Sequence, residues 1–153
     1  LDMSGVFPRL AYVNIFAADP EGLADFYMTV FGFREIESHR SPIYRCIDAG
    51  GLELGFNSEL AYPLLNLDAR KPEGVADVRS YITFEVETPE AVDDAAAATL
   101  AAGGRLVKPA YETYYNARQA VLEDPEANVF RVNHRRGPRK PAELVENPPW
   151  MKS

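Results

Sequence analysis

Two stretches of the chain share one pattern, and this repeat decides the fold. The first is Tyr12-Val-Asn-Ile-Phe-Ala-Ala-Asp-Pro20-Glu21, and the second is Tyr81-Ile-Thr-Phe-Glu-Val-Glu-Thr-Pro89-Glu90. Their tyrosines, prolines and glutamates share one offset, since 81 − 12, 89 − 20 and 90 − 21 all equal 69. Each stretch alternates like a strand and then places Pro at the start of an amphipathic helix. Because such a unit is too short for an independent domain, we expect two half-domains that share one core, with the function where they meet.

The residues around these stretches predict the same order of elements twice, namely a strand, a helix and three strands. In the first half Asp19 is expected to cap the helix and Gly32 to end it. The strands are expected at 9–16, 33–38, 43–48 and 52–56 in the first half, and at 79–86, 105–107, 117–122 and 129–134 in the second, with its helix at 90–102. The sequence therefore predicts an α+β fold built from two βαβββ modules.

The remaining segments connect or follow these modules, which span residues 9–56 and 79–134. Residues 57–78 form a linker without sustained periodicity. Its leucines make it too apolar for disorder, so we expect it to pack over a sheet edge or a pocket. Residues 135–153 form a Pro-rich tail that contains Trp150. Either the tail is disordered, or Trp150 docks on the body or on a partner chain.

Composition limits the classes of function. The 153 residues include 16 basic and 23 acidic side chains, and the net charge of −7 disfavours nucleic acid and anionic membranes as partners. No apolar run approaches the length of about 20 residues that spans a bilayer, and no leader is evident, so we expect a cytoplasmic protein. The single cysteine, Cys46, excludes an internal disulfide, and its apolar neighbours in sequence predict a buried, inert thiol.

The repeated order of elements resembles that of the vicinal oxygen chelate superfamily, which includes glyoxalase I, bleomycin-resistance proteins and extradiol dioxygenases. The resemblance covers residues 9–134 and rests on Tyr12-Val-Asn-Ile with Asp19, Phe26-Tyr27, Phe31-Gly32-Phe33, Leu52-Glu53-Leu54 and Asp124-Pro-Glu-Ala-Asn128. It implies curved mixed sheets that enclose a pocket, with ligand-binding side chains on the concave faces. It also implies pairing across a two-fold axis, so we expect a homodimer.

The resemblance further implies four positions for metal ligands, which in this sequence are Tyr12, Glu53, Tyr81 and Arg131. Only the glutamate suits a divalent ion, because neutral tyrosine is a poor ligand and a guanidinium has no lone pair to give. The two histidines are set aside, since one lies before the turn at Pro42 and the other faces away from the last of these positions. We therefore expect no metal and no other cofactor, which argues against glyoxalase I-type isomerisation and iron-dependent ring cleavage.

Two classes of function remain. The first is a binding protein that sequesters a small molecule without metal, as the resemblance to bleomycin-resistance proteins implies. The second is a metal-free lyase or isomerase in which Glu53 is a base and Tyr12, Tyr81 or Arg131 stabilises an oxyanion. In either class the pocket suits an aromatic or polyketide-like ligand. The predicted ligand-binding residues are Tyr12, Asn14, Phe16, Glu53, Tyr81, Thr83, Arg131 and Asn133, with Tyr111, Tyr114 and Tyr115 as an aromatic wall from the loop before the seventh strand.

Glu53 and Arg131 occupy equivalent positions in the two modules, each on the last strand. Since the equivalent side chains of the family converge on one ion, we expect these two to approach each other, within one chain or across a dimer. The pair could also be purely structural, and the two tyrosines could simply fill the core.

Overall fold

The computed structural model describes residues 8–75, 77–138 and 150, and these contain two four-stranded mixed sheets. Of the described residues, 8–28 and 32–71 form one compact unit, and 29–31 with 72–138 and Trp150 form a second. Each unit has the predicted order of a strand, a helix and three strands. The predicted α+β fold of two repeated modules is therefore confirmed.

The first unit contains strands β1 (Tyr12–Ala17), β2 (Arg34–Glu35), β3 (Tyr44–Asp48) and β4 (Glu53–Ser58), and helix α1 (Pro20–Phe31) except for its last three residues. In its sheet the spatial order is β1-β4-β3-β2, with β1 parallel to β4 and the other pairs antiparallel. A 3-10 turn at Glu37–His39 replaces the second half of the predicted strand 33–38. The predicted linker is partly helical, with a short helix α2 (Ala61–Leu64) and a 3-10 turn at Asp68–Arg70.

The second unit contains β5 (Ile82–Glu85), helix α3 (Pro89–Ala101), β6 (Arg105–Glu112), β7 (Ala117–Glu123) and β8 (Val129–Arg135). The order β5-β8-β7-β6 repeats that of the first sheet, again with one parallel pair, β5 and β8. Strand β6 is longer than the predicted 105–107. Its pairing with β7 shifts register between Leu106 and Lys108 and again before Tyr111, and these shifts interrupt the alternation by which a strand is predicted. It is an edge strand, where Pro109 does not interrupt a central ladder.

Both long helices begin as the sequence predicts. The Asp19 carboxylate accepts a hydrogen bond of 3.0 Å from the Gly22 amide, and α1 ends where Gly32 adopts a left-handed conformation, with φ of 72°. Thr88 caps α3 in the same way, with a 3.1 Å bond from the Ala91 amide. Helix α3 packs on β6, β7 and β8 of the second sheet.

The core of the first unit lies between α1 and one face of the sheet. Tyr27 of α1 stacks on Phe56 of β4, with ring centroids 5.6 Å apart, and both side chains are buried. In the second unit Val92 of α3, Leu122 and Phe130 are fully buried in the same arrangement. Since side chains alternate along a strand, the opposite face of each sheet presents its polar residues away from the helix. None of the described helices is both long and apolar enough to cross a membrane.

Candidate functional site

The polar face of the first sheet begins with the parallel pair β1 and β4. Tyr12 lies opposite Glu53 in the register, and Asn14 lies opposite Gly55. Tyr12 and Asn14 are exposed, and Glu53 is half-buried. These three predicted site residues therefore share one surface, on the side of the sheet opposite α1.

Tyr44 of β3 completes this surface, although sequence reasoning did not include it. Its hydroxyl donates a 3.0 Å hydrogen bond to Oδ1 of Asn14 and lies above Gly55. Burial raises the pKa of Tyr44, and the nearby Cys46 and Glu53 raise it further. The phenol therefore stays protonated at neutral pH and acts as a hydrogen-bond donor. Alternation along β3 places Tyr44 and Cys46 on one face, which was the available signal.

Glu53 is surrounded by donors that the sequence analysis set aside. Its Oε2 lies 3.5 Å from Nδ1 of His39 and 3.7 Å from Sγ of Cys46. The sequence analysis set His39 aside, but the 3-10 turn that contains it brings its ring beside Glu53, the first residue of β4. Cys46 is buried as predicted, and burial raises the pKa of its thiol.

Phe16, another predicted ligand contact, is partly covered by the segment that follows the sheet. Its ring stacks on Tyr62 of α2, with centroids 3.7 Å apart and an interplanar angle of 11°. Tyr62 is buried, and this burial raises its pKa. Residues after β4 therefore pack over the polar face of the first sheet, which leaves less of the Phe16 ring for a ligand.

In the second unit Arg131 is the central cation of the polar face. Its guanidinium carbon lies 4.7 Å from the centroid of the Tyr81 ring, and its Nε donates a 3.0 Å hydrogen bond to Oγ1 of Thr83. No carboxylate in the described part of the second unit lies within 4.0 Å of it, and no partner there accepts from its two terminal nitrogens. Three predicted site residues are thus brought together around a cation with spare donors.

A network of buried amides lies beside Arg131 on the same face. Gln119 of β7, only 1% exposed, accepts a 2.7 Å bond from the Tyr111 hydroxyl and donates to Asn133 at 3.2 Å and to the Tyr115 hydroxyl. Asn133 in turn donates to Glu85 at 2.7 Å. Because each polar group has a partner, the network fixes its members in place. Gln119 was missed, although its position opposite Asn133 follows from the alternation of β7.

The three tyrosines predicted as an aromatic wall come from a strand and from a turn. Tyr111 lies on β6 and not in a loop, because the strand continues to Glu112. Tyr114 and Tyr115 lie in the turn before β7, where their rings meet edge to face at 5.2 Å. Trp150 docks against Tyr114 with the same centroid distance of 5.2 Å. The rest of the tail, residues 139–149 and 151–153, lies outside the described residues.

The four positions implied for a metal do not fit an ion. In the second unit Arg131 carries a positive charge and Tyr81 offers a ring face to it. In the first unit Tyr12 lies opposite Glu53, and this pair offers an ion one carboxylate. A divalent ion needs lone pairs from nitrogen, sulfur or oxygen, and a guanidinium supplies none.

The fold is a repeat of two βαβββ modules, each with one four-stranded mixed sheet. Residues 9–132 match the model of the Glyoxalase/Bleomycin resistance protein/Dioxygenase superfamily. The chain is 47% identical to a family enzyme from Burkholderia phytofirmans PsJN, with a TM-score of 0.79 over 83% of this chain and 98% of that one. The chain therefore belongs to this superfamily.

More distant solved structures share the fold alone. A glyoxalase/bleomycin resistance protein/dioxygenase from Nocardioides is 19% identical, with a TM-score of 0.71 over 91% of each chain. The fosfomycin resistance protein FosX from Mesorhizobium loti is 15% identical, with a TM-score of 0.62 over 84% of this chain and 92% of that one. No curated protein matches the chain in sequence.

Proposed function

We propose that the chain binds an aromatic or polyketide-like small molecule on the polar face of the second sheet and does not transform it. The observation that carries this proposal is the pair of terminal Arg131 nitrogens, which have no partner among the described residues of that unit. A planar guanidinium presents two parallel donors that match a carboxylate or a pair of neighbouring oxygens on a ring. The ligand would be recognised through such an oxygen pair.

The groups around Arg131 suit the remainder of such a ligand. Tyr81 is 54% exposed and stacks beside the guanidinium, so a flat ring system can extend the same stack. Tyr111 and Tyr115 are half-buried and are held by Gln119. Rigid aromatic side chains lose little entropy on binding, which favours affinity without any chemical step.

We also propose that binding needs no ion at the four family positions and that the protein is a cytoplasmic homodimer. The chemistry of Arg131 and Tyr81 supports the first point. The dimer is supported by the edge strands of each sheet, which leave backbone groups for pairing. The single unpaired cysteine, Cys46, is typical of a reducing compartment.

A second candidate function is a metal-free lyase or isomerase in which Glu53 is the base. It is favoured by the 3.5 Å separation of the Glu53 carboxylate and the His39 imidazole, which could pass a proton between them. Tyr12, opposite Glu53 in the register, would then stabilise an oxyanion.

The test separates binding from turnover. Purified protein is screened by thermal shift against planar aromatic acids and polyketides, and each acid is compared with its neutral ester. Bound compounds are then recovered after prolonged incubation, and their masses are measured by mass spectrometry. The proposal expects stabilisation by the acids above their esters and recovery of the unchanged compound. Recovery of a product that depends on Glu53 would establish the second candidate instead.

A further inference from the structure

Three side chains of different chemistry meet at one end of the first sheet. His39 comes from the 3-10 turn after β2, Cys46 from β3 and Glu53 from the start of β4. Their potential ligand atoms all lie within 4.8 Å of one another. We propose that His39, Cys46 and Glu53 bind one zinc-like divalent cation. This proposal departs from the expectation of a metal-free protein and does not depend on the ligand of the second sheet.

Two of the three separations between donor atoms match tetrahedral zinc. With bond lengths of about 2.0–2.3 Å, the nitrogen and carboxylate oxygen of such a site are about 3.4 Å apart, and the sulfur and oxygen about 3.6 Å. The observed separations are 3.5 Å between Nδ1 of His39 and Oε2 of Glu53, and 3.7 Å between Sγ of Cys46 and the same oxygen. The remaining pair, the imidazole nitrogen and the sulfur, lies within 4.8 Å, so binding requires the exposed His39 ring to move toward Cys46.

The donor types also select such an ion. Imidazole, thiolate and carboxylate are the three ligand classes that zinc takes in proteins, and a thiolate disfavours magnesium and calcium. On binding, the Cys46 thiol releases its proton to solvent, so that one thiolate and one carboxylate balance the charge of the ion. With three protein ligands, the fourth position is open to water or to an oxygen of a small molecule.

Two hydrogen bonds hold the turn that carries His39. The backbone amide of His39 donates to the Ile36 carbonyl at 3.1 Å. The next residue, Arg40, donates from Nε to the Glu35 carboxylate at 3.0 Å. A turn held in this way keeps the imidazole at the end of the sheet, so the donor set is organised before an ion arrives.

This donor set differs from the four positions of the family. It shares Glu53 with them, but His39 and Cys46 belong to neither the first nor the last strand of a module. All three ligands lie in the first unit. The site therefore requires neither Tyr81 nor Arg131, whose side chains do not suit a cation.

The test uses zinc and cobalt chlorides with the full chain after dialysis against a chelator. Calorimetry is expected to show one Zn²⁺ per chain. Co²⁺ is expected to give the thiolate-to-cobalt charge-transfer absorption that nitrogen and oxygen ligands alone do not produce. Because loss of a second-sphere partner already costs 10–100-fold in affinity, His39→Ala is expected to weaken binding by about 100-fold or more. His134→Gln, at the other histidine, is the matched control and is expected to bind like the wild type.

Several outcomes would overturn the proposal. One is the absence of stoichiometric Zn²⁺ binding at micromolar concentrations, and another is a cobalt spectrum without the thiolate band. The others are Zn²⁺ affinity of His39→Ala equal to that of the wild type, and a loss of Zn²⁺ affinity in His134→Gln as large as that in His39→Ala. Cys46→Ala is expected to abolish that band. Because Cys46 is buried and its variant could unfold, the exposed His39 variant decides the matter if Cys46→Ala is not folded by circular dichroism.

Discussion

The hydroxyl of Tyr44 occupies the space above Gly55, where an added Cβ would lie 2.0 Å from the hydroxyl oxygen. The same Cβ would lie 2.4 Å from Oδ1 of Asn14, the acceptor of the tyrosine. Glycine at this strand position is therefore required by the close approach of two side chains. It lets Tyr44 and Asn14 meet across β4 on the polar face of the first sheet.

Gly55→Ala is accordingly expected to destabilise the protein by about 1–3 kcal/mol, the usual cost of overpacking. Urea unfolding monitored by circular dichroism gives the free energy of unfolding. Tyr44→Phe is the comparison, since it removes only one hydrogen bond and is expected to cost about 1 kcal/mol. A Gly55→Ala protein as stable as the wild type would mean that the two side chains do not meet there.

The second prediction concerns the amide network of the second sheet. Gln119→Leu keeps the volume of the side chain but removes its hydrogen bonds to the Tyr111 hydroxyl, the Tyr115 hydroxyl and the Asn133 amide oxygen. Unpaired buried polar groups cost about 1–3 kcal/mol each, so a loss of at least about 2 kcal/mol is expected in urea unfolding. Tyr111→Phe, which removes a single donor, is expected to cost less. A larger loss in Tyr111→Phe than in Gln119→Leu would contradict the network.

A third prediction concerns the turn between β7 and β8. Asp124 is fully buried, and its Oδ1 accepts hydrogen bonds from the amides of Glu126 at 2.9 Å and Asn128 at 3.0 Å. Asp124→Ala removes both hydrogen bonds and is expected to cost at least about 2 kcal/mol. Asp124→Asn retains an acceptor oxygen and is expected to cost less, as measured by thermal unfolding. Equal losses in the two variants would show that the carboxylate charge, and not its position as acceptor, stabilises the turn.

The fourth prediction is a dependence of stability on pH. Hydrogen bonds from Arg118 lower the pKa of Asp93, with Nε 2.8 Å from the carboxylate. Because the folded pKa is below the unfolded value of about 3.9, the stabilisation is present above that value and is lost as pH falls through the folded pKa. The pair lies near the surface, so it contributes at most about 1 kcal/mol.

The free energy of unfolding is therefore measured at pH 7 and across the acid range for wild type and Asp93→Asn. The difference between the two proteins is expected to shrink as the pH falls below about 4. Asp94→Asn is the matched control on the same helix, since Asp94 is exposed and has no ion pair among the described residues. A difference that stays constant down to the acid limit would contradict the role of Arg118.

The sequence predicted the parts of the fold that depend on local chemistry. The helix starts at Pro20 and Pro89 and the helix end at Gly32 follow from capping and from backbone conformation, which neighbouring residues determine. The length of β6 could not be predicted from its own residues. Two shifts of register and Pro109 interrupt its alternation, while the backbone still pairs with β7. Such pairing depends on a strand distant in sequence.

Apart from the three tyrosines before β7, the candidate site residues named from the sequence lie on or beside the first and last strands of each repeat. Tyr44 on β3 and Gln119 on β7 were missed because the resemblance placed ligand positions only on the first and last strands, although alternation puts both residues on the polar faces. His39 was set aside because it precedes the turn at Pro42, yet the 3-10 turn Glu37–His39 places its Nδ1 3.5 Å from the Glu53 carboxylate. The predicted approach of Glu53 and Arg131 stays a prediction.

The central claim is that Arg131 binds the ligand through its terminal nitrogens. The most direct measurement is titration calorimetry with the tightest-binding aromatic acid from the thermal-shift panel, using wild type, Arg131→Met and Arg105→Met. Arg105 is the control because it already pairs with Glu123, 3.0 Å away on the neighbouring strand. Charge-assisted hydrogen bonds of about 1.5–3 kcal/mol correspond to a loss of about 10–150-fold in affinity for Arg131→Met, with no change for Arg105→Met. Arg131→Met that binds the acid as tightly as the wild type would contradict the account.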